Sequence, residues 1–238
     1  MLQNKSSPII MPSYARKHQL TQSLIYHIYN RSNARAVIFH DKKDFEHFRE
    51  LLIRYKEVFQ FSLYHWVIMS NHFHLLLEMK TPEKISKLMA GLGRSYTHYY
   101  HKKYKSHGYL WQGRFKLQPV QKENYLLACG RYIERNPVRA GLVSEADQYT
   151  FSSALYHCQG REDHLTDKNP CLLEFGDTPG GRQQKYKQFL KDFDIEEEQF
   201  FRRLEEPLGH EEFKRRLIRF AGRYLPRRRG RKQERIVL

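Results

Sequence analysis

The alternation of apolar and polar residues predicts four β-strands in the first part of the chain. The predicted strands span residues 24–31, 61–69, 72–79 and 114–120. Only Ser70 and Asn71, a turn-like pair, separate the second strand from the third, so these two strands are predicted to form a hairpin. On the first strand His27 and Tyr29 share one face, because side chains alternate along a strand.

Apolar residues at helical spacing predict three helices between and after these strands. Asp41 is a predicted N-cap for the first helix, and Thr81 with Pro82 marks the start of the second. The third helix covers residues 122–136 and should end before Pro137. The resulting order, β-α-β-β-α-β-α, is the split βαβ pattern. We therefore predict an α+β, ferredoxin-like sandwich with one antiparallel sheet and helices on one of its faces.

The character of the chain changes after about residue 155. A first domain is predicted over residues 14–155, followed by a loop-rich linker over residues 156–182. Residues 183–238 are predicted to form a helical, basic C-terminal extension. Its two short amphipathic helices are predicted from Tyr186, Phe189, Leu190 and Phe193, and from Phe213, Leu217, Phe220 and Tyr224.

The charge of the chain predicts a polyanionic partner. There are 42 Lys and Arg residues against 26 Asp and Glu residues, a formal net charge of +16. Nucleic acid is the usual partner for such a surplus, because phosphate contacts release counterions. No apolar run approaches the roughly 20 residues that span a bilayer, so no membrane partner is expected. Three widely spaced cysteines without a CxxC pair, and a polar N-terminal segment, fit a cytoplasmic protein.

The sharpest local feature is the sequence Asn71-His72-Phe73-His74, which an apolar run follows. His72 and His74 point to one face of the predicted strand, and Phe73 points to the other, into a helix-covered core. Two imidazoles about 7 Å apart on one rigid strand can converge on a divalent cation. An arbitrary HxH pair is more often two surface histidines, so this motif alone is a weak indication of a metal site.

A second feature is the stretch Tyr132-Ile133-Glu134-Arg135-Asn136 on the third predicted helix. Positions four residues apart share a helix face, so Tyr132 and Asn136 lie one turn apart. The amide oxygen of Asn136 could complete a metal's ligand set while Tyr132 reaches the same centre. A phenol, with a pKa of about 10, is a poor nucleophile without help, which a metal on a phosphodiester supplies. In isolation, such a tyrosine usually just packs a helix.

The third feature is the segment 110–116, LWQGRFK, in which aromatic and cationic residues are interleaved. Such residues contact bases and phosphates together, by stacking and by charge. A buried tryptophan that anchors a loop is an equally good interpretation of the segment.

In combination and in this order, the motifs resemble those of the REP-associated tyrosine transposases. These are a branch of the insertion-sequence-200-like single-tyrosine HUH transposases. The resemblance covers about residues 14–155 and rests on the stretches YHIYNRSNARAVIF, SNHFHLLLE, LWQGRF and YIERNPVRAGLV. It implies the HUH nuclease fold, with His72 and His74 as the metal-binding pair and Tyr132 as the nucleophile. Asn136 falls where many members carry a Gln or Asn that also contacts the metal.

The resemblance also implies an activity, a cofactor and a partner. The activity is Mg²⁺- or Mn²⁺-dependent cleavage and joining of single-stranded DNA through a 5′-phosphotyrosine link, on repetitive palindromic DNA that forms hairpins. The chain departs from the family at Ser32, where the family often has glycine between Arg and Asn. The candidate DNA-binding residues are Arg31, Asn33, Arg94, Arg114, Lys116 and Arg139, with Arg227, Arg228, Arg229, Arg231 and Lys232 in the basic tail. Monomer and homodimer both stay open.

Three other functions stay open at this point. The first is a replication or conjugation initiator of the wider HUH class, although such proteins often carry a helicase domain. The second is a non-catalytic RNA-binding module on the same topology, although its central strands would carry aromatic residues where this chain has HFH. The third is a DNA-binding regulator that has lost catalysis, although His72, His74 and Tyr132 are all present.

Overall fold

The computed structural model describes residues 24–193, residues 195 and 201, and residues 208–221. Some predicted features lie outside these residues. They are the start of the first domain, the side chain of Phe220, Tyr224, and the tail residues Arg227, Arg228, Arg229, Arg231 and Lys232.

Within the described residues, the centre of the fold is a four-stranded antiparallel sheet. Its strands are β1 (Ile25–Arg31), β2 (Phe61–Met69), β3 (His72–Met79) and β4 (Lys116–Val120). They are arranged in the order β2-β3-β1-β4, which is the arrangement of the split βαβ pattern, so the predicted ferredoxin-like α+β fold is confirmed. The hairpin of β2 and β3 turns at Ser70 and Asn71, as predicted.

Two helices, α1 (Lys42–Phe59) and α2 (Ile85–Tyr104), cover one face of the sheet. The predicted N-cap of α1 forms a capping box, in which Asp41 accepts a hydrogen bond from the backbone of Asp44 and Asp44 accepts one from the backbone of Asp41. By contrast, a 3-10 turn precedes α2, and the side chain of Thr81 caps neither. The strand residues on this face are apolar and include Tyr26, Ile28, Trp66, Phe73 and Leu75.

The opposite face of the sheet is covered by α3 (Glu123–Glu134), so the prediction of helices on one face only is wrong. The reason is that this face also carries apolar strand residues whose burial is favourable. These residues are Ile25, Tyr64, Val67, Leu76 and Val120, and they pack against Leu126, Cys129, Tyr132 and Ile133 of α3. The face that carries His72 and His74 is therefore enclosed rather than open to solvent.

Helix α3 ends before Pro137, but the chain continues in a helical conformation. A single further turn, α4 (Asn136–Arg139), follows α3 and contains this proline near its first position. Proline is tolerated there because the first residues of a helix have no backbone hydrogen-bond partner within it. The turn brings Arg139 back towards α3, where it contacts Tyr132.

Residues beyond 155 pack onto the same core. The elements in this part are α5 (Ala154–Gln159), a 3-10 turn (Pro170–Phe175) and α6 (Pro179–Lys191). Leu165 is fully buried in the core under α1 and α2, and Tyr186 and Leu190 of α6 are buried against α5. Residues 156–182 thus contain helical turns and a core residue, unlike a plain loop, whereas the predicted domain boundaries stay a prediction.

The outer edge of β4 is covered by Leu208. The N–H of Leu208 donates to the carbonyl of Pro119 at 2.8 Å, and its carbonyl accepts from the N–H of Gln121 at 2.7 Å. This pairing satisfies backbone groups that an open strand edge leaves exposed. The predicted amphipathic helix follows as α7 (Glu211–Ala221), with Phe213 and Leu217 buried.

Two further observations concern the cysteines and the character of the helices. Cys129, Cys158 and Cys171 are all buried and form no disulfide. Among the described residues, none of the helices combines the length and the apolar character that crossing a bilayer requires.

Candidate active site

His72 and His74 of β3 lie under α3. Their ring centroids are 5.3 Å apart, and the two ring planes are nearly perpendicular. His74 is 6% exposed and His72 is half-buried, so they are not two surface histidines. Nδ1 of His72 lies 2.7 Å from Oδ1 of Asn71 and donates to it in the neutral ring. The lone pair of His72 is therefore on Nε2.

Tyr132 is held beside these histidines by α3. Its ring centroid lies 5.9 Å from that of His74. The ring also contacts Phe201, at 5.4 Å between centroids, and the guanidinium carbon of Arg139, at 4.5 Å from the centroid. Tyr132 is only 8% exposed. The candidate nucleophile is thus held in place by contacts around its ring.

Asn136 presents an oxygen atom to the same site. Its Nδ2 donates to the carbonyls of Tyr132 and Ile133, at 3.1 Å and 3.0 Å, which determines the orientation of the amide. Its Oδ1 accepts a hydrogen bond from Nη2 of Arg139 at 2.6 Å, and its side chain also contacts His72. Sequence spacing placed Asn136 on the face of Tyr132, and the structure brings it next to His72 as well.

Burial keeps the two histidines neutral. It lowers the pKa of His72 to about 4, although the contact with Asn136 raises this pKa. Burial also holds the pKa of His74 well below its usual range, and the neighbouring His27 lowers it further. Neutral imidazole is the form that binds a metal ion. Two imidazole nitrogens and one amide oxygen in one place fit a divalent cation that accepts nitrogen and oxygen ligands.

A third histidine, His27 of β1, belongs to this site but was not identified as a site residue from the sequence. Its Nε2 lies 2.8 Å from Nδ1 of His74, and the two rings are nearly parallel, with centroids 5.1 Å apart. The alternation of β1 placed His27 on one face with Tyr29. Only the pairing of β1 with β3, in which Tyr29 is opposite His74, shows that this face is the one that carries His72 and His74.

Three of the predicted DNA-binding residues surround the histidines. Arg31 is opposite His72 in the pairing of β1 with β3. Lys116, the exposed first residue of β4, is opposite Tyr29, whose ring stacks on His74. Arg139 contacts Asn136 and Tyr132 as described above. A phosphate bound at the histidines would lie near these positively charged side chains.

Three other predicted DNA-binding residues that the structure describes are farther out. Asn33 and Arg114 are exposed on two loops that meet at the end of β1, where the N–H of Asn33 donates to the carbonyl of Leu110 at 2.8 Å. Arg94 is exposed on α2, the helix that covers the opposite face of the sheet. The structure therefore does not bring Arg94 to the histidines.

The segment LWQGRFK divides into an anchor and an exposed tip. Nε1 of Trp111 donates to the carbonyl of Gly93 at 3.2 Å, and its ring packs against Phe73, so this tryptophan anchors the loop. Just before the segment, Tyr109 is 92% exposed. An exposed aromatic ring on an anchored loop suits base stacking, and the composition of this stretch is the signal that could have identified it.

Serine fits the position where the family often has glycine. Ser32 has a φ of −66°, which any residue adopts, and its Oγ donates to the carbonyl of Ala36. The positive φ angles of this turn occur later, at Ala34 (51°) and Arg35 (57°). The departure from the family pattern therefore does not require a different backbone at Ser32.

A second group of ligand-type side chains lies between α3 and β2. His65, Glu134 and His157 are fully buried, and one potential ligand atom from each lies within 4.8 Å of the others. Glu134 accepts hydrogen bonds from Nδ1 of His65 at 2.8 Å, from Oγ of Ser153 at 2.5 Å and from the hydroxyl of Tyr186 at 2.8 Å. This group could not be predicted from the sequence, because its members are separated by long stretches of chain.

The hydrogen bonds of this second group already satisfy its charged member. The Glu134 carboxylate accepts from three donors, which compensates for its burial. Nε2 of His157 lies 2.8 Å from the carbonyl of Tyr64 and donates to it. Nε2 of His65 accepts from Nδ2 of Asn169 at 2.7 Å. The spacing would suit a metal, but we interpret the group as a hydrogen-bonded anchor for α3.

Buried neutral histidines are expected to make the stability depend on pH. Burial lowers the pKa of His27, His72 and His157 from 6.5 to about 4. Between these two values the unfolded chain binds more protons than the folded chain. The free energy of unfolding of the metal-free protein should therefore fall as the pH decreases from about 6.5 to about 4, by about 3 kcal/mol or more in total.

Urea denaturation at several pH values from about 7 to about 4.5 measures this dependence. The variant His157→Gln removes one of the titrating groups and should give a shallower fall than the parent protein. A free energy of unfolding that is constant over this range would contradict the prediction.

The family of the chain follows from the segment that carries this site. Residues 20–136 match the family model described as "Transposase IS200 like". This segment contains His72, His74, Tyr132 and Asn136. The chain is a transposase. It belongs to the IS200-like transposase family.

One solved structure shares the fold. A structure described as the REP-associated tyrosine transposase bound to a REP hairpin has 19% sequence identity and a TM-score of 0.54, over 66% of this chain and 95% of that one. A protein from Deinococcus radiodurans R1, described as a transposase, has 17% identity and a TM-score of 0.36, over 52% of this chain and 88% of that one. No curated protein sequence matches the chain.

Proposed function

We propose that the chain is a metal-dependent enzyme that cuts and rejoins single-stranded DNA through a covalent link to Tyr132. The observation that carries this proposal is the convergence of four side chains from three elements. His72 and His74 of β3 are neutral and adjacent, while α3 and α4 bring Tyr132 and Asn136 to them. The family resemblance assigns roles to the same four residues, which supports the proposal.

His72, His74 and Asn136 would hold Mg²⁺ or Mn²⁺. The lone pair on Nε2 of His72 and the oxygen Oδ1 of Asn136 can both bind a cation. The two side chains are in contact, and each is oriented by a hydrogen bond that a side-chain nitrogen donates, from Nδ1 of His72 to Asn71 and from Nδ2 of Asn136 to backbone carbonyls. When bound, the cation would neutralise charge that develops on the scissile phosphate.

In the proposed reaction the Tyr132 oxygen attacks the phosphorus and loses its proton. The new bond joins the tyrosine oxygen to phosphorus, and the bond from phosphorus to the 3′ oxygen breaks. That oxygen takes up a proton and becomes the free 3′-OH of one fragment, while the other fragment stays on the enzyme through its 5′ phosphate. A second 3′-OH reverses these steps and releases Tyr132. Because one phosphodiester replaces another, no ATP is required.

The proposed substrate is hairpin-forming DNA from repetitive palindromic sequences. Arg31, Lys116 and Arg139 surround the histidines and would position the phosphates of a single strand. Exposed Tyr109 would stack on a base nearby. The REP hairpin in the similar solved structure belongs to that protein, and it supports this choice of substrate for the chain.

The proposal is tested with labelled single-stranded hairpin DNA from repeats of the source genome, incubated with Mg²⁺, Mn²⁺ or a chelator. We expect a covalent protein–DNA adduct on a denaturing gel that forms only with a metal. The double variant His72→Ala, His74→Ala should form none, whereas His98→Ala, which replaces an exposed histidine of α2, should form as much as the parent.

Binding assays on the same samples distinguish the remaining functions. Salt-sensitive binding without an adduct in either metal, across several hairpins, would overturn the enzyme proposal and favour a DNA-binding regulator. An adduct that forms equally well with the chelator would overturn the role of the metal.

A further inference from the structure

We propose that His27 and Gln118 act as positioning residues that hold His74 in the tautomer needed to bind a cation. This inference rests on the proposed metal site and adds residues from β1 and β4 to it. The proposal starts from one hydrogen bond, between Nε2 of His27 and Nδ1 of His74 at 2.8 Å. Both residues are buried, with 1% and 6% of their surface exposed, so water does not compete for this bond.

The direction of this hydrogen bond decides whether His74 is a metal ligand. Two neutral imidazoles share one proton between Nε2 of His27 and Nδ1 of His74. If His74 donates, its Nε2 keeps a lone pair for a cation. If His27 donates instead, Nε2 of His74 carries a hydrogen and cannot bind one. His27 thus either enables or blocks the binding of a cation by His74.

Gln118 is the residue that would determine which of the two histidines donates. It lies opposite His27 in the pairing of β1 with β4, is only 4% exposed, and its side chain faces the imidazole of His27. A carbonyl oxygen of Gln118 that accepts from Nδ1 of His27 leaves Nε2 of His27 as an acceptor. His74 must then donate from Nδ1, which leaves its Nε2 free. Nδ1 of His27 is buried and makes no hydrogen bond to the residues that the structure describes, so it is the donor available to the Gln118 amide. With that bond made, Gln118, His27 and His74 form a relay of hydrogen bonds across three adjacent strands.

The orientation of the two rings fits this hydrogen bond, because only 18° separates their planes. The ring centroids of His27 and His74 are 5.1 Å apart, and the ring of Tyr29 also packs against His74, with centroids 5.3 Å apart. Partners that fix the tautomer and ring orientation of a ligand histidine typically change metal affinity 10- to 100-fold when removed. The imidazole of His27 is thus expected to matter for binding although it need not touch the cation.

The test measures Mn²⁺ affinity of the full chain without DNA, from the free Mn²⁺ signal in electron paramagnetic resonance. His27→Phe keeps a ring but removes the acceptor, and should weaken binding about 10- to 100-fold. His27→Gln offers an oxygen near the position of Nε2 and should restore much of the affinity. Gln118→Leu should give a smaller loss than His27→Phe. The control His157→Phe removes a buried histidine that bonds to Tyr64 instead.

A second measurement reads the tautomer directly. In the ¹⁵N spectrum of the metal-free protein, His74 should carry its hydrogen on Nδ1, and this preference should weaken in His27→Phe. Thermal melting before each titration confirms that the variants are folded.

The outcomes separate this inference from the proposed function. Parent protein that binds no Mn²⁺ at His72 and His74 would overturn both. Parent protein that binds Mn²⁺, with folded His27→Phe binding it equally well, would overturn the relay and leave the proposed function standing. An equal loss in His157→Phe, or His74 protonated on Nε2, would also overturn the relay.

Discussion

The variant Tyr132→Phe is expected to lose the covalent protein–DNA adduct completely, while its DNA binding and thermal stability change little. The substitution removes one oxygen atom and keeps the ring. The contacts of the ring with His74, Phe201 and Arg139 are therefore retained, and with them most of the packing of α3 against the sheet. A phenyl ring has no oxygen to attack phosphorus, so no residual covalent link is expected.

A matched control is available because another tyrosine lies equally close to the histidines. The ring of Tyr29 is stacked on His74 at 5.3 Å, compared with 5.9 Å for Tyr132. Tyr29→Phe should still form the adduct, although its rate can change because Tyr29 packs against a proposed ligand. The adduct is measured on denaturing gels, and mass spectrometry of the digested adduct should locate the DNA on the peptide of Tyr132.

Two results would contradict the assignment of Tyr132. One is an adduct of normal yield in Tyr132→Phe with none in Tyr29→Phe, which would move the nucleophile to β1. The other is loss of DNA binding in Tyr132→Phe, which would give the hydroxyl a role in recognition. Neither result would change the fold or the family of the chain.

The parts of this site that local sequence could predict are those within one element. Strand alternation placed His72 and His74 on one face, and helical spacing placed Asn136 one turn from Tyr132. Both statements need only the geometry of a strand or a helix. The order of strands and helices was sufficient for the ferredoxin-like topology as well, because few arrangements satisfy a β-α-β-β-α-β-α chain.

The parts that the sequence could not supply depend on contacts between elements. His27 acquires a role only because β1 pairs with β3 in a register that no local pattern specifies. Both faces of the sheet carry apolar residues, so local patterns could not predict which face α3 covers. The histidines made one of these faces look solvent-exposed. His74 is buried there with its Nδ1 hydrogen-bonded to Nε2 of His27, a contact that only the folded chain shows.

The second large effect is expected from Glu134→Ala, which should lower the free energy of unfolding by about 3 to 5 kcal/mol. Glu134 is fully buried and follows Tyr132 by two residues on α3. Its removal leaves three donors without their acceptor, on His65, Ser153 and Tyr186, in a space that water does not fill. Denaturation with urea at neutral pH measures the loss.

Glu145→Gln is the control for this prediction. Glu145 also pairs with two cations, Lys187 and Lys191, but these contacts are at the surface, where solvent screens them. Its replacement should therefore change the stability far less than Glu134→Ala does. Equal effects of the two variants would contradict the argument from burial.

The same pair of experiments decides between an anchor and a structural metal at His65, Glu134 and His157. If the group held a metal, a chelator would destabilise the parent protein, since metal that binds only the folded state contributes to its stability. Glu134→Ala would then lose less stability to the chelator than the parent protein does. If hydrogen bonds alone hold the group, as the three donors to Glu134 indicate, the chelator lowers the stability of both proteins by the same amount. Glu134→Ala should then also slow adduct formation at temperatures where the chain is still folded, because α3 carries both this anchor and Tyr132.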